Sequence, residues 1–174
     1  MSNNQAIETM LAKQAIQETV YTYCRALDRL DKELLESVFS ANANIDYGEI
    51  YKGPAAGFVD IAIGFQGSMR DTQHMVNNLL IEVDGEEASS EAYVYAHHVI
   101  EQDGERMELV IGARYLDRFC RDEQGQWKIS YRTELLDWAR MVPIGERWFE
   151  DNTELPKGCR GKDDLSYGFL NRRK

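Results

Sequence analysis

Gln73-His74-Met75-Val76-Asn77-Asn78-Leu79-Leu80-Ile81-Glu82-Val83-Asp84 is an apolar-rich run that ends on the turn signal Asp84-Gly85. Such a segment predicts a strand entering a tight hairpin. Three more strand-like segments follow, residues 90–102, 106–121 and 126–138, separated by Asp103-Gly104 and Gln124-Gly125. Short turns favour antiparallel neighbours, because parallel strands need a crossover of a dozen or more residues. The second half of the chain therefore predicts a long antiparallel meander.

Upstream, the period changes. Residues 5 to about 30 contain neither Gly nor Pro, and Ile7, Leu11, Ile16, Val20, Tyr23, Cys24 and Leu27 recur at helical spacing. This predicts a long amphipathic helix. Asp31 is placed to cap a second, short helix ending near residue 39, with Leu34, Leu35, Val38 and Phe39 as its apolar face. Residues 43–52 read as two short strands about Gly48. A third helix is expected over residues 55–65, with Pro54 at its first position, where a missing N–H costs nothing. Helices first and a meander afterwards indicate an α+β domain whose helices pack on one face of a strongly curved sheet. The expected organisation is one domain over residues 1–140, with residues 141–174, rich in Gly and Pro, as an irregular C-terminal extension packed on it.

The chain has 174 residues with 20 Lys plus Arg against 30 Asp plus Glu, a formal net charge of -10. Phosphate backbones and anionic membrane surfaces are repelled by such a charge, so nucleic acid and membranes are poor partners. The basic end Arg172-Arg173-Lys174 is too short to reverse this. Cys24, Cys120 and Cys159 are odd in number and scattered, suggesting neither a disulfide framework nor a zinc knuckle. A cytoplasmic location is the expectation. No G-x-G-x-x-G, G-x-x-x-x-G-K-[ST] or G-x-S-x-G pattern occurs, so cofactor-free chemistry or simple binding is expected.

Only three histidines occur, His74, His97 and His98. Strict alternation puts His74 with Val76, Asn78 and Leu80, and puts His97 with Tyr93, Tyr95 and Val99, opposite His98. We expect His74 and His97 to face one side of the sheet. Asp28 stands near the C-terminal end of the long helix, where the macrodipole disfavours a carboxylate unless something offsets it. Tyr23 lies five residues earlier, about 140° around the helix, so the two flank a groove. Together these groups can form a metal-free proton-transfer site, since histidine alone titrates unperturbed between pH 5 and 8. Their plainer roles are a core aromatic, a helix-end carboxylate and hydrogen-bonded histidines. Arg132 alternates with Trp127, Ile129 and Tyr131, and is read as a surface charge or as a contact for a substrate carboxylate or leaving group.

The stretch Tyr23-Cys24-Arg25-Ala26-Leu27-Asp28 and the pair His74-Met75 resemble the SnoaL-like branch of the nuclear transport factor 2-like superfamily. The similarity extends to its bile acid dehydratases, scytalone dehydratases and hexachlorocyclohexane dehydrochlorinases, and covers about the first 130 residues. That resemblance implies a cone-shaped α+β barrel on a mixed or antiparallel sheet, with an apolar pocket and a lyase activity needing no cofactor or metal. In it Asp28 orients His74, the general base, and Tyr23 supplies a hydrogen bond. His97 departs from the bile acid pattern, which has a carboxylate there, and is closer to the second histidine of scytalone dehydratases. Tyr47 corresponds to their water-binding tyrosine. The implied reaction is loss of water from a small apolar cyclic hydroxy-carbonyl, such as a hydroxysteroid. Ketosteroid-type isomerases and dioxygenase β subunits share the architecture and remain alternatives. A homotrimer is also implied, with Val94, Ala96, Leu109 and Ile111 as candidate interface residues.

Overall fold

Ser2 caps the first helix, α1 (Asn3–Asp28), its hydroxyl accepting the Gln5 N–H while the Gln5 side chain accepts the Ser2 N–H. In the computed structural model, which describes residues 2–145 and 154–170, α1 buries Ile16, Val20, Tyr23, Cys24, Leu27 and Asp28. Its first turns are little buried, and Ile7 and Leu11 are exposed. Leu30 takes a positive φ of 52° and turns the chain into α2 (Lys32–Ser37), where Asp31 accepts the Leu34 N–H as expected. Phe39, expected on the helix, instead opens β1 (Phe39–Asp46). Gly48, at φ 60°, turns β1 into β2 (Lys52–Pro54). Pro54 caps α3 (Ala55–Ser68) from outside rather than forming its first helical position.

The meander comprises β3 (Asp71–Asp84), β4 (Glu87–Gln102), β5 (Glu105–Arg121) and β6 (Trp127–Pro143). The sheet order is β2-β1-β6-β5-β4-β3. All neighbours are antiparallel except β1 and β6, which run parallel, so the sheet is mixed. It is a curved, unclosed sheet with helices packed against it. Ile16, Val20 and Leu27 of α1 meet Ala92, Val94, Tyr115 and Ile129 of the sheet in one core.

Two bulges decide which of the candidate side chains enter that core. At the hairpin end of β3 and β4, Leu79 faces Ala92; five residues further on, an unbroken register would set His74 opposite His97. An irregularity between Val76 and Leu79 shifts the pairing by one, so His74 faces Ala96 and Gln73 faces His97. A slip of one residue exchanges the two faces of a strand. His98 therefore joins His74 on the inner face and His97 turns outward, reversing the sequence-based assignment. The same bulge places Leu79 and Ile81 inward with His74, where alternation had separated them. A second bulge lies opposite the Arg118–Phe119 step, and it turns Arg132 inward although Trp127 and Ile129 are also inward. Arg132 is thus fully buried, and the surface reading is wrong. Further irregularities fall at Gly112–Ala113 and, where β1 pairs with β6, between Phe39 and Asn44.

Val94 and Ala96, expected at a subunit interface, are inner-face core residues. Leu109 and Ile111, paired with His98 and Ala96, lie on that same inner face. Met75, Tyr93 and Trp138 are exposed, and the rings of Tyr95 and Trp138 are 6.2 Å apart.

β6 runs past residue 140 to Pro143, so regular structure continues into the part expected to be irregular. Residues 154–170 then pack beside the end of α1 and finish in a four-residue helix, α4 (Ser166–Phe169). Arg29 binds Asp164 at 3.0 Å, Tyr167 donates to Asp31 at 2.6 Å, and Arg25 donates to the Ser166 hydroxyl. The stretch Arg172-Arg173-Lys174 lies outside the described residues. No helix among the described residues is long and apolar enough to cross a membrane.

Candidate active site

Asp28 and His74 are joined where the last turn of α1 crosses the start of β3. Asp28 Oδ1 lies 2.7 Å from His74 Nδ1, while Asp28 Oδ2 accepts the His74 backbone N–H at 3.0 Å. One carboxylate thus holds both the ring and the main chain of His74. These donors, with Thr72 Oγ1 at 3.3 Å, offset the unfavourable end of the helix dipole. With the carboxylate accepting at Nδ1, the Nε2 lone pair of a neutral His74 is free to take a proton. Arg160 of the C-terminal segment donates to Thr72 Oγ1 at 3.0 Å, so the tail braces the dyad through Thr72. A cavity of about 600 Å³ reaches Asp28 and His74 and is also lined by Cys24, Val76, Ser166 and Leu170. Two larger grooves, about 950 and 930 Å³, flank the first part of α1 and touch neither residue.

Tyr23 is buried, and its hydroxyl lies 3.1 Å from that of Tyr47. Burial pushes the Tyr23 phenol up to about 12 despite the nearby Arg132 charge, and Tyr47 is raised for the same reason. Both are therefore hydrogen-bond donors and poor acids. The Cys24 thiol is likewise pushed up to about 12 by burial, which leaves little thiolate to act as a nucleophile.

Arg132 Nε and Nη2 bind the two oxygens of Asp117, directly opposite on β5, at 2.6 and 2.7 Å. Its guanidinium lies between the rings of Tyr23 and Tyr115, 3.9 and 4.2 Å from their centroids. Burial opposes the charge, but the Asp117 carboxylate more than offsets it and keeps the guanidinium charged. Nη1 has no hydrogen-bond partner among the described residues. A buried cation with a spare donor pair is suited to holding a ligand oxygen or anion.

His98 takes the place that sequence reasoning had given to His97. Its ring centroid is 5.3 Å from that of His74, nearly perpendicular, and its buried Nδ1 has no hydrogen-bond partner among the described residues. His97 instead bonds Glu108 at 3.1 Å through Nε2 on the other face. Burial, followed by repulsion from His74 and His97, lowers the His98 pKa to about 4, while Asp28 opposes the shift. Unfolding would release His98 to its ordinary value of 6.5, so between those values the unfolded chain binds the extra proton. This contribution to stability is intact above pH 6.5 and is lost as pH falls toward 4. We expect His98→Asn to flatten that acid limb; thermal melts at stepped pH check it, and an unchanged limb disproves it. Thr72, Ser90, Asp117, His98 and Glu134 also stand on the inner face, and no sequence motif marks any of them. Among the described residues no group of three or more His, Cys, Asp or Glu side chains is arranged to hold a metal ion.

Residues 8–133 match the model of the SnoaL-like domain family. The chain belongs to that family, within the nuclear transport factor 2-like superfamily. Uncharacterized proteins of Mycobacterium tuberculosis and Mycobacterium bovis are 29% identical to this SnoaL-like chain over 129 residues, covering 73% of it and 86% of their own length. A scytalone dehydratase candidate from Novosphingobium aromaticivorans superposes with a TM-score of 0.68 at 22% identity, covering 80% of this chain and 91% of its own. A hexachlorocyclohexane dehydrochlorinase from Novosphingobium barchaimii gives a TM-score of 0.68 at 20% identity, with 82% and 96% covered. At these identities the solved structures establish that the SnoaL-like chain shares their cone-shaped fold.

Proposed function

We propose that the protein is a cofactor-independent lyase, a dehydratase that removes water from a small, apolar, cyclic hydroxy-carbonyl compound such as a hydroxysteroid or polyketide-derived ring. The 2.7 Å contact between Asp28 and His74 Nδ1 carries this reading, because it prepares the other ring nitrogen as a base. His74 Nε2 takes a proton from a carbon made acidic by a neighbouring carbonyl. Negative charge then grows on the carbonyl oxygen. We assign the Tyr23 and Tyr47 hydroxyls and the unpartnered Arg132 Nη1, buried on the same inner side of the sheet, as donors to such an oxygen, since stabilising a developing oxyanion is commonly the largest catalytic contribution. Charge relocation then expels the β-hydroxyl. The Cys24 thiol beside the dyad, pushed up to about 12 by burial, gives no support to a covalent route. The proposed assembly is a homotrimer, for which the outward sheet face bearing Met75, Tyr93 and Trp138 offers an exposed apolar surface.

Product mass tests the reaction class. Incubation with a panel of cyclic β-hydroxy ketones is expected to give products lighter by one water. A product of unchanged mass with its double bond moved would instead establish an isomerase using the same dyad. No turnover alongside copurification with a larger catalytic subunit would establish the non-catalytic role.

A further inference from the structure

Loss of a hydroxyl requires a proton donor as well as a base, and the interior holds few candidates. His97 faces outward, and His98 is held neutral, with a ring N–H that is a weak acid. Tyr23 and Tyr47 are pushed further from useful acidity by burial. Asp28 and Asp117 are each engaged as carboxylates, by His74 and Arg132. Glu134 is different. It stands two residues beyond Arg132 on the same inward face of β6, directly opposite Tyr115 on β5. Residues paired in this way have Cβ atoms about 5 Å apart, so the carboxyl stands beside the Tyr115 and Arg132 cluster. It is half-buried, and among the described residues it makes neither a hydrogen bond nor an ion pair.

We propose that Glu134 is the acid that delivers a proton to the departing hydroxyl oxygen, an assignment that rests on the elimination reading above. The two ends of the site then divide the work. The C–H electron pair becomes the new double bond as its proton passes to His74 Nε2. The C–O bond breaks with its electrons going to oxygen, which takes the Glu134 proton and leaves as water. The His74 imidazolium then returns a proton to the Glu134 carboxylate through solvent, so no proton is gained or lost by the enzyme over a cycle. Burial raises the Glu134 pKa against the opposing effects of Arg132 and His74, favouring the protonated form this role needs.

The assignment makes Glu134 specific to poor leaving groups. Chloride departs without a proton, whereas hydroxide does not. Wild type, Glu134→Gln and His74→Ala would be compared on β-hydroxytetralone and β-chlorotetralone, with uncatalysed rates subtracted. Glu134→Gln is expected to lose at least about 100-fold on the hydroxy compound, the usual scale of a general acid, and no more than about threefold on the chloro compound. Equal losses on both compounds, or none on either, would overturn the assignment. The chloro reaction also reports that the variant has folded. His74→Ala is expected to lose both activities; if it keeps both, the base reading fails instead. Infrared difference spectra of wild type against Glu134→Gln at neutral pH supply a readout apart from turnover. They should show a protonated carboxyl band, and a carboxylate band alone would contradict the proposal.

Discussion

Replacing Asp28 with asparagine is expected to lower elimination by two to four orders of magnitude while leaving the fold intact. The side chains are nearly isosteric, and an asparagine oxygen can still accept one of the two His74 hydrogen bonds that Asp28 holds. The loss arises in the imidazole. An amide N–H pointed at Nδ1 would make that nitrogen the acceptor and move the proton to Nε2, the atom that must act as base. Even without a flip, a neutral amide cannot stabilise the imidazolium that forms on proton transfer. Turnover and the ¹⁵N shifts of His74 check both parts of the argument. A variant that keeps full turnover would mean that the dyad serves only to join α1 to β3.

The elements were legible because their signals are local. The helical period of α1, the Asp31 cap and the Asp84-Gly85 and Asp103-Gly104 turns each act over a few residues, and each appears close to where the sequence places it. Facing is a different matter, because it propagates. Asn77-Asn78 carries no strong bulge signature, yet the shift there exchanges the roles of His97 and His98. A similar shift beside Ser130 brings Arg132 from an expected surface position to complete burial and carries Glu134 inward with it. Asp28 and Tyr23 escaped this because α1 has no irregularity to shift them. The brace from Arg160 to Thr72 could not be read at all, since the two residues are 88 apart in sequence and neither belongs to a motif.

The buried Arg132–Asp117 pair should be the most costly polar contact to break by a single substitution. Both side chains are completely buried, and the two bonds of 2.6 and 2.7 Å satisfy Asp117 at each oxygen. Asp117→Ala would leave a guanidinium, already crowded between Tyr23 and Tyr115, without its counter-charge. Stranding one member of such a pair costs about 3–5 kcal/mol. For a chain of this length that lowers the melting temperature by roughly 6–20 °C. Removing both charges has a different cost, because desolvation of the intact pair consumes much of its attraction. Asp117→Leu combined with Arg132→Met should therefore recover most of the lost stability. Activity should not return with it, since the double variant lacks the spare Nη1 donors available to substrate oxygen. Thermal melts and product assays on the same samples separate the two effects. A single variant that melts with wild type would show the pair to be dispensable to folding, and a stable double variant with full turnover would remove Arg132 from the site.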